Sequence, residues 1–139
     1  MPSSSEVGAT VAAIARALDA DDLETACALL AEDCIYETGR ETLRGPDRIA
    51  ASYAEASARA RRLFDEVRYA SEVGPASDAT ATVTFTDYLL KAGSRWHRYR
   101  CQQAFTVGAV GRIVRIVHRE LPGERHALEV YFRECGVEG

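Results

Sequence analysis

The sequence predicts one α+β domain: three helices, then a strongly curved, mostly antiparallel sheet around them, then a final helix. Three observations carry this. Apolar residues recur at helical spacing to about residue 63, and the period then drops to two until about residue 121. No repeat, linker or low-complexity tract divides the chain. Finally, 139 residues hold a single core, which at this size buries roughly two thirds of the unfolded surface and needs neither disulfide nor metal.

Each element has its own signal. Ser3-x-x-Glu6 has the form of a capping box, followed by Val7, Val11, Ile14 and Leu18 at helical spacing. Asp21-x-x-Glu24 offers a second start, with Leu23, Cys27 and Leu30 on one side. Residues 33–38 read as a short strand. Gly45-Pro46-Asp47 opens a third helix, because Pro suits the first turn and Asp complements the dipole. Its apolar stripe is Ile49, Tyr53, Ala56, Ala60 and Leu63, with Arg59, Arg61 and Arg62 left in water.

The strands follow. Val67, Tyr69, Ser71 and Val73 alternate up to a Gly74-Pro75 break, and residues 79–90 set Thr80, Thr82, Thr84 and Thr86 against Ala81, Val83, Phe85 and Asp87. Residues 91–95 read as a hairpin turn, 96–107 as the returning strand, Gly108–Gly111 as a second turn and 112–121 as the last strand. Pro122-Gly123-Glu124 then starts a helix with Leu128, Tyr131, Phe132 and Cys135 on one face.

Composition excludes several classes. A net charge of −4 and a pI near 5.4 argue against nucleic acid as the main partner. No apolar run approaches the roughly 18 residues of a membrane span, and residues 1–6 lack the form of a signal peptide. The expectation is a cytoplasmic protein with four reduced, buried thiols at Cys27, Cys34, Cys101 and Cys135. With no CxxC and His97, His118 and His126 far apart, neither metal nor cofactor is expected.

Four segments in order, Ala17–Leu23, Leu29–Tyr36, Leu43–Ile49 and Gly111–Arg115, resemble the nuclear transport factor 2-like superfamily, and within it the SnoaL-like branch. The resemblance spans about residues 7–121, with residues 122–139 a helical tail. It implies a cone-shaped α+β barrel of the cystatin-like kind. The superfamily includes polyketide cyclases, ketosteroid isomerases, dehydratases, epoxide hydrolases and non-catalytic domains, so it fixes no reaction. Aligned on the ketosteroid isomerases, the base position falls on Thr38, the Tyr position on Ile14 and the second Asp position on Gln103. Thr38 cannot take a carbon-bound proton near neutral pH and Ile14 donates nothing, so steroid isomerase chemistry is excluded.

The same alignment turns residue 103 inward, and strand parity does the rest. His97, Tyr99, Cys101 and Phe105 then face in, as do Ile116, His118 and Glu120, and Val83, Phe85 and Asp87. His118 with Glu120 is the sharpest pair, since alternate strand residues lie about 6.8 Å apart on one face. If the pair is structural instead, Glu120 sits at the barrel rim with Arg119 or Arg98 and His118 is a hydrogen-bonded wall residue. SnoaL-like cyclases are similar in placing an acid/base carboxylate near the position of His118. Asp87 is the second candidate acid or base. If it is structural instead, it pairs with Arg100 or Lys91. Tyr36, Thr38, Tyr53, Tyr99 and Gln103 are the candidate ligand-binding residues. Trp96, Arg98, Arg100, Gln102, Arg115, Val117 and Arg119 fall on the outer face, through which relatives pair, so a homodimer is expected.

Two functions stand open at this point. One is an acid/base enzyme (isomerase, cyclase, dehydratase or hydrolase) acting on a small, largely apolar cyclic ketone, polyketide or terpenoid, with His118, Glu120 and Asp87 catalytic. The other is a non-catalytic ligand-binding or homodimeric assembly domain.

Overall fold

Residues 2–136 are described by a computed structural model of the chain. Helix α1 (Ser4–Asp19) starts from a complete capping box: the Ser3 hydroxyl accepts from the Glu6 N–H and the Glu6 carboxylate accepts from the Ser3 N–H, both at 3.1 Å. Its buried stripe of Val7, Val11 and Ile14 is the heart of the core. Helix α2 (Leu23–Ala28) begins one residue later than expected. Asp22, not Asp21, is its cap, accepting from the Thr25 N–H at 3.2 Å and the Thr25 hydroxyl at 2.6 Å. The helix also ends early, so Leu30 belongs to strand β1 (Leu30–Glu37) and is buried there rather than on a helix face.

Strand β2 (Thr42–Arg44) was not foreseen. Only three residues long, it forms because the Thr38 N–H bonds to the Glu41 carbonyl at 3.0 Å and folds the chain back along β1. Helix α3 (Pro46–Leu63) has Pro in its first turn and Arg61 and Arg62 in its last, as expected.

Strands β3 (Glu66–Val73), β4 (Thr80–Leu90), β5 (Trp96–Val107) and β6 (Ile113–Glu120) form the long antiparallel part of one sheet, in the order β2-β1-β6-β5-β4-β3. Among the described residues only the β1–β6 pairing is parallel. The sheet curves around the helices without closing, leaving β2 and β3 as edges. Asp87 lies opposite Tyr99, and Gln103 opposite both Val83 and His118, which is the parity expected. The β5–β6 turn is tight: a Cβ on Gly108 would sit 2.6 Å from the Val114 Cγ1, so any larger residue would have to displace the Val114 side chain.

Helix α4 (Glu124–Cys135) seals one end of the cone. Tyr131 is fully buried and stacks on His97 (4.8 Å between centroids) and Phe64 (6.1 Å). Its hydroxyl donates to the Arg95 carbonyl at 2.6 Å and accepts from the Lys91 N–H at 3.1 Å. His97 faces in and is 7% exposed beneath α4. His126 is exposed, and residues 137–139 of the tail lie outside the described residues. All four cysteines are free, but only Cys34 is buried; Cys27, Cys101 and Cys135 are half-buried. Among the described residues no helix is long and apolar enough to cross a membrane.

Candidate active site

Between α3 and the concave face of the sheet lies a cavity of about 250 Å³. It exists because α3 presents the short side chains of Ser52, Ala56, Ser57 and Ala60 there, which leave space above the strands. The volume falls just under the roughly 300–1,000 Å³ of typical ligand pockets, so it suits one compact ring system.

One wall is a hydrogen-bonded cluster built by four elements. Gln103, 4% exposed on β5, is its hub. Its amide oxygen accepts from the Tyr53 hydroxyl at 2.6 Å, and its amide nitrogen meets the Tyr36 hydroxyl at 2.9 Å and His118 Nδ1 at 3.2 Å. With both amide hydrogens donated, Nδ1 of His118 is an acceptor and Nε2 carries the ring proton. The Tyr36 O–H and the His118 Nε2–H are then the two donors the cluster has left. Tyr36 and Tyr53 stack with centroids 5.3 Å apart. Burial raises both phenols, Tyr36 to about 12, and lowers His118 against the opposing pull of Glu120, so the wall stays uncharged near neutral pH.

The opposite wall is acidic. Asp87 on β4 faces the cavity and makes no hydrogen bond or ion pair among the described residues. Neither Arg100 nor Lys91 pairs with it: the Arg100 guanidinium makes no ion pair among the described residues, and Lys91 lies 3.9 Å from Asp65. Burial, with the nearby negative charge of Asp19 adding to it, pushes Asp87 up to about 7. Asp19, also raised by burial, accepts from the Ser71 hydroxyl at 2.5 Å through one oxygen and leaves the other unpartnered. Beside them Ser57 links Tyr69 (2.9 Å) to Asp21 (3.0 Å).

Asp87 and His118 do not touch. Two strands across and four residues along, they would be roughly 16 Å apart in a flat sheet; curvature turns both toward the same space. A bound molecule would bridge them. Tyr99 and Cys101 line the floor between.

Two candidates fall elsewhere. Thr38 follows β1, where its hydroxyl accepts from the backbone N–H of Arg40 (3.3 Å) and Glu41 (3.2 Å); it organises a turn and does not line the cavity. Glu120 reaches the rim, 43% exposed, where Arg125 pairs with it and holds its carboxyl below the usual range. The expected convergence of His118 and Glu120 therefore does not form, because an arginine five residues on outcompetes the cavity. Sequence reasoning missed Asp19, Asp21 and Tyr69: the β3–β4 pairing sets Tyr69 opposite Asp87, and the end of α1 brings Asp19 to Ser71 of β3 and Asp21 to Ser57 of α3. Among the described residues no cluster of His, Cys, Asp and Glu has metal-binding geometry.

The comparisons with known proteins agree on the architecture. Among curated proteins no match to the sequence was found. An M. tuberculosis LEH-like epoxide hydrolase superposes with a TM-score of 0.65 at 25% identity, covering 91% of this chain and 86% of its own. A polyketide cyclase-like structure from Xanthomonas campestris gives 0.68 at 17% identity over 89% and 96%. A de novo designed protein with a curved β-sheet gives 0.64 at 17% over 96% and 99%, which shows that the sheet curvature itself, with no natural function attached, is part of what is shared. The sequence profile of the SnoaL-like domain matches residues 11–116. With cone, helices and profile in agreement, the chain belongs to the SnoaL-like domain family of the nuclear transport factor 2-like superfamily.

Proposed function

We propose that this domain binds a compact, largely apolar molecule bearing a carbonyl or hydroxyl, of cyclic ketone, polyketide or terpenoid type, and moves a proton on it with its own side chains. Asp87 is the acid/base, and one observation carries the reading: a carboxyl facing a cavity with no partner. A structural buried carboxyl is ordinarily paired, because leaving it alone costs stability. A group that is half ionised near pH 7 suits proton transfer in both directions.

On a ketone, the Asp87 carboxylate would take a proton from the carbon beside the carbonyl. The C–H electron pair moves into the carbonyl, and the resulting enolate oxygen is met by a donor of the opposite wall, the His118 Nε2–H or the Tyr36 O–H. The Asp87 acid then returns the proton to the same or another carbon. The likeness to an LEH-like epoxide hydrolase supports small-molecule chemistry in this cavity. For its assembly, we propose a homodimer formed through the outer sheet face.

Proton exchange tests this without knowing the natural reaction. Incubated in D₂O with a bicyclic ketone such as 2-tetralone, the wild-type protein is expected to speed deuterium uptake beside the carbonyl. Asp87→Asn should slow it by about 100-fold or more. Binding of the ketone with no exchange above buffer would leave a ligand-binding domain and end the enzymatic reading.

A further inference from the structure

A second, larger groove opens between α3 and α4 and runs into the cavity, the two sharing Ala56, Ala60, Asp87 and Tyr99. Its floor is apolar, with Leu63, Phe64, Leu89 and Phe132. Its rim carries Arg40, Arg59, Arg125 and Arg133 with Glu129, and its second acid, Asp87, lies where the groove meets the cavity. These arginines come from three elements: the turn before β2, the C-terminal part of α3 and both ends of α4. Arg125 is held by Glu120, but Arg40, Arg59 and Arg133 make no ion pair among the described residues. Elsewhere Arg61, Arg95 and Arg115 each have a carboxylate within 3.1 Å. The cavity itself holds no lysine or arginine, only acids and neutral donors.

Charge thus changes sign along one path, cationic at the mouth and acidic at the back. We propose that the molecule the site takes is anionic at one end: its ring system fills the cavity, and a carboxylate or phosphate stays at the mouth among Arg40, Arg59 and Arg133. The proposal rests on the cavity being a small-molecule site and adds the polarity of the ligand. Planar guanidinium groups match both oxyanions, so the arginines define the charge and not the acid. The opposite orientation would put the anion against Asp87 and Asp19, where like charges repel. A cationic molecule would meet those acids favourably but would have to pass the arginines.

Three naphthalenes of one shape test it: 2-naphthoate, its uncharged methyl ester and 2-naphthylmethylammonium, with 2-naphthyl phosphate as a fourth arm. Dissociation constants would be measured by calorimetry at low salt and at about 0.5 M salt, where screening acts within a few ångströms. The variant is Arg59→Gln with Arg133→Gln; both side chains are exposed and unpaired, so its melting temperature serves as a folding control. One of the two anions is expected to bind about tenfold tighter than the ester, with the advantage lost in high salt and in the double variant while the ester is unaffected. Whether naphthoate or the phosphate leads identifies the head group. An ester binding as tightly as both anions, or the ammonium binding tightest, overturns the proposal and leaves the cavity reading standing. If not even the ester binds, the cavity reading falls, and this inference with it.

Discussion

Asp87 is where a single proton ties stability to chemistry. Its folded pKa near 7 lies above the roughly 3.9 of an unfolded aspartate, so the folded state holds the proton more tightly. The stabilisation linked to it is therefore complete below about pH 4 and is lost as pH rises through 7. Asn mimics the protonated acid at every pH. Asp87→Asn should accordingly gain on wild type by roughly 2–3 kcal/mol between pH 5 and pH 8, read from urea melts at the two values. Equal pH dependence in both proteins would mean that Asp87 is solvated and ordinary. Gln103 behaves in the opposite way, since its partners are buried polar atoms. Gln103→Leu strands the Tyr53 hydroxyl, the Tyr36 hydroxyl and His118 Nδ1, and should cost roughly 2–4 kcal/mol in a denaturation experiment. The inward parity of both residues is legible in the sequence because period two leaves no third option. Their pairing is not. Whether a carboxylate finds an arginine depends on where long flexible side chains go, and it is this that took Glu120 to Arg125 and left Asp87 alone.

Among the elements, the long strands and α1 and α3 were readable because each has a strong period and a punctuating residue. The misjudged pieces are short. β2 has three residues and exists only by pairing with β1, so it carries no period of its own. The early end of α2 follows from Leu30 having a better place in the sheet, where it lies beside Ile113, than on a six-residue helix. The last helix was legible as amphipathic, but not its address, because a stripe of Leu128, Tyr131 and Phe132 does not name the surface it covers. That surface is Phe64, Leu89 and His97. The Tyr131 hydroxyl joins helix to hairpin through the Arg95 carbonyl and the Lys91 N–H. Tyr131→Phe keeps the stacking and removes both bonds, at a cost of about 1–3 kcal/mol. Hydrogen exchange should show the loss first in α4 and residues 91–96, with α1 unchanged; uniform acceleration would mean that α4 is not a separable unit.

At the scale of the whole molecule, all four helices pack on the concave side of the sheet: α1 through Val7, Val11 and Ile14 against Val83, Phe105 and Ile116, and α4 through Tyr131 against Leu89. The convex side is left with no cover of its own, and a domain of this architecture normally buries each broad face against another layer. In its middle Thr82, Ala104 and Val117 lie in register across β4, β5 and β6, as do Thr84, Gln102 and Arg119, with Arg100 opposite Thr86 and Trp96, 41% exposed, toward one end. Farther out, Arg115 pairs with Glu37 at 2.6 Å and Arg68 lies over the Trp96 ring. A strip of small and hydroxyl side chains with arginines and a tryptophan beside it has the composition of an interface, and a second copy of the same face is the expected occupant. Sedimentation equilibrium is expected to show a dimer for the wild type. Val117→Asp puts a carboxylate at the centre of the face, where the two copies would bring like charges together, and should yield a folded monomer. Because the cavity lies on the other side of the sheet, ketone exchange by that monomer should stay within about twofold of wild type. A wild type that remains monomeric at every concentration would remove the dimer, while the chemistry assigned to Asp87 would stand on its own.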